Sequence, residues 1–296
     1  MLAISGGPDS TALLHAAARL APIRGWRLVV AHLDHGLRPE SAEEATWVAE
    51  RARELGLPFA SERADVAALA RAEGRSLEDA GRRARYRFLE EVAARHDALI
   101  ATAHTADDAA ETILLRLVRG TGLRGLRGIP ERRGRIVRPL LGERRATLRA
   151  ALDSAGIAYL SDPTNEDPTA ADRNRIRAEL LPALERLNPA AVEVIARFGR
   201  LAAEDDDLLE TLAAAELERR RDPGDGSLDW HDPPDRALGR RVLRRFVGAP
   251  APSAERIEAL LDAAEGPRGG LTIELGGGRE ASVRERRIRL EGRTAS

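Results

Sequence analysis

The sequence predicts a doubly wound α/β fold, a parallel sheet with helices on both faces, followed by a smaller, mainly helical accessory domain. Three observations lead there. Short apolar runs alternate with amphipathic helical patterns from the N-terminus onward, the order that implies parallel strands joined by helical crossovers. A glycine pair, Gly6-Gly7, stands at the junction of the first apolar run and the first helical pattern. Beyond Pro189 the alternation gives way to longer helical patterns.

Taken in order, Leu2 to Ile4 is the end of a short buried strand, and the apolar residues from Ala12 to Leu20 recur at helical spacing. Between them, Ser5-Gly6-Gly7-Pro8-Asp9-Ser10 reads as a phosphate-binding turn. Glycines tolerate positive φ and carry no side chain, so successive backbone N–H groups can converge on an anion. Asp9 or Ser10 is expected to cap the helix that follows, whose positive dipole end faces the same anion. A Walker loop is excluded, because it needs a lysine on the phosphates and the chain has none.

Arg27 to Ala31 is a second strand, ending in the polar cluster His32-Leu33-Asp34-His35-Gly36-Leu37-Arg38-Pro39-Glu40. Ligands of open α/β sheets sit beyond the carboxyl ends of strands, where this cluster falls. Ser41 opens a helix to about Leu55 with Glu44 in the capping-box position. Phe59 to Arg63 is a weaker third strand; Ser76, with Asp79 three residues on, opens a long helix to about His96. Ala98 to Ala103 is a fourth strand. Residues 190 to 220 form a long helix broken at Asp222-Pro223-Gly224, with helices near 235–247 and 253–264 and strands at 271–275 and 281–290. The change of pattern near Pro189 divides the chain into 1–188 and 189–296.

With 296 residues, 32% charged, 43% hydrophobic and a net charge of −1, the chain has the profile of a soluble globular protein. No apolar run approaches the ~20 residues of a membrane span, and no basic stretch precedes an apolar one as in a signal peptide. A cytoplasmic location and no membrane partner are expected. All 47 basic residues are arginine, a genome-composition effect rather than a functional choice. The absence of cysteine excludes disulfides, thiolate metal sites, iron–sulfur clusters and a cysteine nucleophile.

Two further stretches carry chemistry. His104, Asp108 and Glu111 stand at i, i+4 and i+7 after the fourth strand, expected on one face of a helix near its N-terminus. Two acids and a histidine there suit a cation, either Mg²⁺ or a substrate ammonium. Residues 119 to 149 hold ten arginines against two glutamates, a local charge of +8, interspersed with glycines. A basic loop beside a phosphate site suits an RNA backbone, and with 3% aromatic residues in the chain, base stacking is not the evident mode.

The Ser-Gly-Gly-x-Asp-Ser string resembles the PP-loop of the N-type ATP pyrophosphatases, a Rossmann-like class that splits ATP between the α and β phosphates. His104-x-x-Asp-Asp-x-x-Glu-Thr, the run Leu115 to Ile129, His32 to Arg38 and Arg138-Pro139-Leu140-Leu141 resemble the tRNA(Ile)-lysidine synthetase family. Tyr159 to Asp167 and Arg173-Asn174-Arg175-Ile176-Arg177 are also similar, and the likeness is colinear from about residue 2 to 188. Thr105 and Ala109 depart from it, where the family usually has a second histidine and a glutamine, which puts fine substrate placement in question.

The resemblance implies an ATP- and Mg²⁺-dependent ligase. ATP adenylates carbon 2 of the wobble cytidine of an isoleucine tRNA with a CAU anticodon, and free L-lysine then displaces AMP to give lysidine. It implies ATP binding by Ser5, Gly6, Gly7, Pro8, Asp9 and Ser10, with Asp9 or Asp34 helping to place Mg²⁺. Asp34, His104, Asp108 and Glu111 are the catalytic candidates: the two acids after the fourth strand hold or align the amine and His104 moves a proton. Arg116, Arg119, Arg124, Arg127, Arg173, Asn174 and Arg177 are candidates for tRNA binding, and a homodimer is compatible with this reading.

Other readings leave something unexplained. Sulfur-transferring relatives need cysteines. A metal-dependent hydrolase using His32, Asp34, His35, His104 and Asp108 has no use for the glycine turn. A non-catalytic nucleotide-binding module has no use for the acids or the arginines, and another PP-loop adenylating enzyme would share the turn but not the later motifs.

Overall fold

The computed structural model describes residues 1–36, 41–161, 172–266 and 270–292. The chain divides into two compact units, Met1–Ala202 and Ala203–Ser296. The division falls inside a long helix, a position that no breaker in the sequence marks.

The first unit is built on strands β1 (Leu2–Ala3), β2 (Val30–Asp34), β3 (Phe59–Arg63), β4 (Ile100–Ala101), β5 (Arg132–Arg133) and β6 (Ile136–Val137). Their order is β3-β2-β1-β4-β6-β5, parallel except for the antiparallel β5–β6 pair. Helices α1 (Pro8–Arg24), α2 (Ser41–Glu54), α3 (Val66–Glu73), α4 (Leu77–Arg95), α5 (Ala106–Val118), α6 (Leu123–Leu126) and α7 (Arg145–Ser154) connect them. After α8 (Asp172–Arg175) a π-helical turn, Ile176–Leu180, runs into α9 (Leu181–Leu187) and then α10 (Ala191–Arg220).

Both sheet faces are covered, because the strands are apolar on both sides. Leu2, Ile4 and Val30 pack with Leu13 and Leu14 of α1, Val48 of α2 and Leu148 and Leu152 of α7. On the other face Ala31, Leu33 and Ile100 pack with Val66 of α3 and Phe88, Leu89 and Val92 of α4. A third cluster joins Ala106, Ala109 and Ala110 of α5 to Ile176, Leu181, Val192 and Ala196. Each fully buried large side chain contributes on the order of 2 kcal/mol. The chain winds from β1 to β2 and β3 in one direction, then crosses to β4 on the other side of β1. That reversal opens a crevice beyond the carboxyl ends of β1 and β4, where a doubly wound sheet binds its ligand.

In the second unit the later half of α10, α11 (Arg236–Val247) and α12 (Ala254–Glu265) accompany an antiparallel sheet. Its strands β7 (Leu228–Asp229), β8 (Leu271–Gly276), β9 (Arg279–Arg284) and β10 (Arg287–Gly292) take the order β7-β10-β9-β8. Trp230, Leu243, Ile257, Leu260, Leu261, Leu275 and Ile288 form its core. The single strand expected over 281–290 is two strands, turned at Glu285 and Arg286 with φ of 49° and 54°. Both central residues of such a tight hairpin need positive φ, and neither is the Gly, Asn or Asp that announces one. No described helix is long and apolar enough to cross a membrane.

Candidate nucleotide and amine site

The turn after β1 has the geometry its glycines predict, with one change. Neither Asp9 nor Ser10 caps α1: the N-cap is Gly7, with no side-chain cap bond, and Pro8 opens the helix. Proline suits that position, since its fixed φ is helical and its missing N–H would have no partner there. Asp9 and Ser10 therefore lie in the first turn, whose N–H groups have no intrahelical acceptor and can meet an anion. The Ser10 hydroxyl donates to the Gly7 carbonyl at 3.0 Å and accepts from the Ser5 N–H at 3.2 Å, while Thr11 donates to the Gly6 carbonyl at 3.0 Å. Gly6 has φ +90°, and a Cβ there would fall 2.6 Å from the Leu160 side chain. Leu160 also donates its N–H to the Gly6 carbonyl at 2.9 Å.

The acids after β4 are held differently from the sequence expectation. His104 is not on the helix face, because α5 begins at Ala106 with Thr105 as its N-cap. Thr105 and Asp108 form a reciprocal capping box: Asp108 accepts from the Thr105 N–H at 2.8 Å and from its hydroxyl at 3.0 Å. Asp108 and Glu111, one turn apart, then meet three guanidinium groups. Arg145 donates to Asp9 at 3.1 Å, to Asp108 at 3.1 Å and to Glu111 at 3.3 Å. Arg173 donates to Glu111 at 2.7 Å and Asp108 at 2.9 Å, and Arg177 grips Glu111 at 2.7 and 3.1 Å. The Glu111 side chain is 0% exposed.

Burial works to raise the pKa of both acids, but at Glu111 the Arg177 bonds and the Arg173 charge prevail and hold it below the ordinary carboxylate range. At Asp108 the Arg145 and Arg173 charges do the same. Asp9 goes the other way: burial outweighs Arg145 and raises it. Its Oδ1 is buried with no hydrogen-bond partner. One orphaned carboxylate oxygen beside a phosphate turn is the kind of donor Mg²⁺ takes alongside substrate phosphates.

Asp34 ends β2, accepting from the Gly36 N–H at 2.8 Å with Arg63 at 3.6 Å; against burial, its bonds from Ser41 and Gly36 lower its pKa. The His32 Nδ1 donates to the Ile4 carbonyl at 2.9 Å, which leaves Nε2 as the acceptor in the neutral ring. Burial, then repulsion from Arg138, Arg85 and Arg173, lowers His104 to about 4 despite Asp108. Its Nδ1 lies 2.9 Å from the Thr102 hydroxyl. Ser5, Asp9, Asp34, His104, Asp108 and Arg145 share the wall of one cavity of about 1210 Å³, while Glu111 and Arg173 stand behind that wall. No group of three His, Cys, Asp or Glu side chains among the described residues is arranged to hold a metal ion.

The basic stretch divides by direction. Arg138 is buried on the Pro130 carbonyl, Arg144 bonds Asp107, Glu185 and Glu193, and Arg145 enters the cavity. Arg116 holds the Gly125 and Gly128 carbonyls at 2.9 and 3.1 Å, and Arg119 pairs with Asp172 at 2.7 Å. Arg124 is exposed and Arg127 half-buried, while Asn174 lines the cavity beside Arg177. Residues 37–40 and 162–171, which include part of two family-like motifs, lie outside the described residues.

Sequence reasoning missed the role of Arg145 and the presence of Arg85, Tyr86 and Arg149 in the cavity wall. One signal was available: Arg144 and Arg145 stand at the N-terminus of α7, where the helix dipole disfavours cations, so acids had to compensate. Asp107 does so twice, bonding Arg144 and accepting the Arg145 backbone N–H at 2.8 Å.

A glycine turn after the first strand, a reversal of strand order beside it and an acid-bearing helix after β4 define a PP-loop protein, a class that uses ATP. The model of the PP-loop domain family matches residues 1–184. A solved structure of the same fold is the U34-tRNA thiolase NcsA from Methanococcus maripaludis with its [4Fe-4S] cluster, at TM-score 0.55 and 16% identity, covering 68% of this chain and 70% of that one. Curated relatives narrow the class. The tRNA(Ile)-lysidine synthase of Thermus thermophilus is 49% identical over 218 residues, 73% of this chain and 42% of that protein. That of Leifsonia xyli is 43% identical over 259 residues, 84% of this chain and 76% of its own length. The chain belongs to the tRNA(Ile)-lysidine synthase family. It spans about half the length of most of the curated relatives it matches.

Proposed function

We propose that this chain joins free L-lysine to carbon 2 of the wobble cytidine of an isoleucine tRNA with a CAU anticodon, through an adenylated tRNA and with release of pyrophosphate and AMP. The observation that carries the reading is the convergence of the phosphate turn, Asp9, His104 and Asp108 on one cavity, with Glu111 tied to Asp108 behind its wall through Arg145 and Arg173, in a chain whose curated relatives are named for that reaction.

In the first step the cytidine O2 attacks the α phosphorus and pyrophosphate leaves. The N–H groups of the Gly6–Ser10 turn and the α1 dipole hold the leaving group, where charge develops. Asp9 would hold Mg²⁺ there, and the ion would supply neutralisation of that charge. Arg145 keeps Asp9 oriented through its 3.1 Å bond. In the second step the lysine amine attacks carbon 2 and AMP departs, so the ammonium must first be recognised and then lose a proton. Asp108 and Glu111 are the anions for recognition, and their present arginine partners Arg173 and Arg177 are the cations that must yield. His104, at the head of α5, is the candidate for the proton; burial, then Arg138, Arg85 and Arg173, hold its pKa at about 4, and it becomes a competent base only once bound anions offset those arginines. Exposed arginines around residues 119–135 serve the tRNA backbone. A homodimer and a cytoplasmic location remain part of this reading. Sulfur transfer is disfavoured because the chain has no cysteine.

The test is incorporation of labelled lysine into isoleucine tRNA, with ATP supplied or withheld. ATP-dependent labelling of the wobble position alone supports the proposal. Consumption of ATP without labelled tRNA would remove lysine as the co-substrate.

A further inference from the structure

Arg116, whose type and position suit a phosphate contact, spends its side chain on the protein itself. Its Nη1 donates to the Gly125 carbonyl at 2.9 Å and to the Gly128 carbonyl at 3.1 Å. Both acceptors lie in the turn of residues 119–128, which carries Arg119, Arg124 and Arg127 among four glycines. A stretch so rich in glycine is loose in isolation, and a ligand that needs it in one shape must meet the cost of ordering it.

Two helices remove that looseness by gripping the main chain of the turn. On the α5 side, Gly128 has φ +66° and lies against Ile113, where a Cβ would stand 3.2 Å from Cδ1. On the α10 side, a Cβ on Gly199 would fall 2.6 Å from the same Ile113 Cδ1, and 3.3 and 3.6 Å from the carbonyl oxygens of Leu126 and Arg127. Within the turn the Gly125 N–H donates to the Gly122 carbonyl at 2.9 Å, and a Cβ on Gly125 would overlap the Thr121 hydroxyl. Glycine inside a helix weakens it, so its presence at 199 answers to the approach of the turn. Packing alone would account for Gly199, but not for an exposed arginine that holds two carbonyls of a surface turn. These contacts engage the backbone and leave Arg124 outward, exposed and without a partner among the described residues.

We propose that Arg116 and Gly199 are positioning residues for the tRNA backbone, an assignment that rests on the reading of the outward arginines as phosphate ligands. They hold the 119–128 turn in one shape, so that Arg124 meets the RNA without first being ordered. Arg116 then acts on tRNA through the turn rather than by touching a phosphate.

The experiment measures affinity for isoleucine tRNA over a series of salt concentrations in the intact protein and in Arg116→Met, Gly199→Ala and Arg124→Met. A lost phosphate contact lowers the slope of log affinity against log salt, whereas a lost positioning contact lowers affinity at every salt and keeps the slope. Arg116→Met and Gly199→Ala are each expected to weaken binding about three- to tenfold with the parental slope. Both should also speed hydrogen exchange over residues 120–128 in the free protein, while Arg124→Met lowers the slope. A slope reduced as much by Arg116→Met as by Arg124→Met makes Arg116 a phosphate ligand and overturns the assignment. Parental affinity in both Arg116→Met and Gly199→Ala overturns it too, leaving the two residues a packing role. Should Gly199→Ala fail to fold, Arg116→Met, at an exposed position, decides between these outcomes. If Arg124→Met changes neither affinity nor slope, the RNA reading of the turn falls, and the positioning role with it.

Discussion

Glu111 shows how a single side chain can be both fully enclosed and ionised. With 0% exposure and three guanidinium groups around it, the carboxylate is offset by charge rather than by water. Removing one partner of a buried ionic network leaves the other charges uncompensated, at about 3 kcal/mol or more. Glu111→Gln is therefore expected to lower Tm by several degrees at neutral pH, measured by calorimetry. Its folded pKa is depressed, so its stabilisation is present above the ordinary carboxylate range and is lost as pH falls through the folded value. The gap between parent and variant should close in acid; a constant gap would mean that Glu111 acts through packing alone. His104, depressed to about 4, obeys the same sign: it is neutral in the folded chain, and the cost of keeping it so grows as pH falls from about 6.5 toward 4. An NMR titration should find it near 4, and a midpoint near 6.5 would place it in open solvent. The two acids were legible from their spacing, but their arginine partners were not. A charge count over 119–149 cannot say that Arg145 points inward and Arg124 outward, since direction is fixed by which helix each residue begins or ends.

The turn between β1 and α1 tests the element scale. Gly6 holds φ +90° with Leu160 against its Cα, so Gly6→Ala must both strain the backbone and displace a side chain. ATP binding by calorimetry should fall by at least about tenfold, and an unchanged affinity would show that the turn does not need this conformation. Thr105 caps α5 and bonds the Asp108 carboxylate. Thr105→Ala should cost about 1 kcal/mol of stability, while Thr105→Ser keeps it; equal losses would point to the methyl group instead. Strand and helix alternation was readable because period and punctuation agree over long stretches. The start of α5 was not, because His104 and Thr105 continue the polar pattern of the helix while lying outside it. The short α3 and α7 and the 285–286 turn also escaped notice, as none carries a glycine or proline that marks its entry.

For the molecule as a whole, a net charge of −1 means that any affinity for RNA must come from local arrangement. Arg119, Arg138 and Arg144 of residues 119–149 are committed to carbonyls and acids of the protein, which leaves outward residues such as Arg124 to meet phosphates. Removing Arg124 should lower the slope of log affinity against log salt for isoleucine tRNA by up to about one. An affinity independent of salt would return the stretch to a structural role. The most direct test of the two-step chemistry follows the oxygen on carbon 2 of the wobble cytidine. If ATP activates the tRNA, tRNA carrying oxygen-18 at that position, supplied with ATP and lysine, yields AMP containing the heavy oxygen, one per lysine attached. AMP without the label, with lysine nonetheless attached, would mean that another group was activated and would contradict an adenylated tRNA.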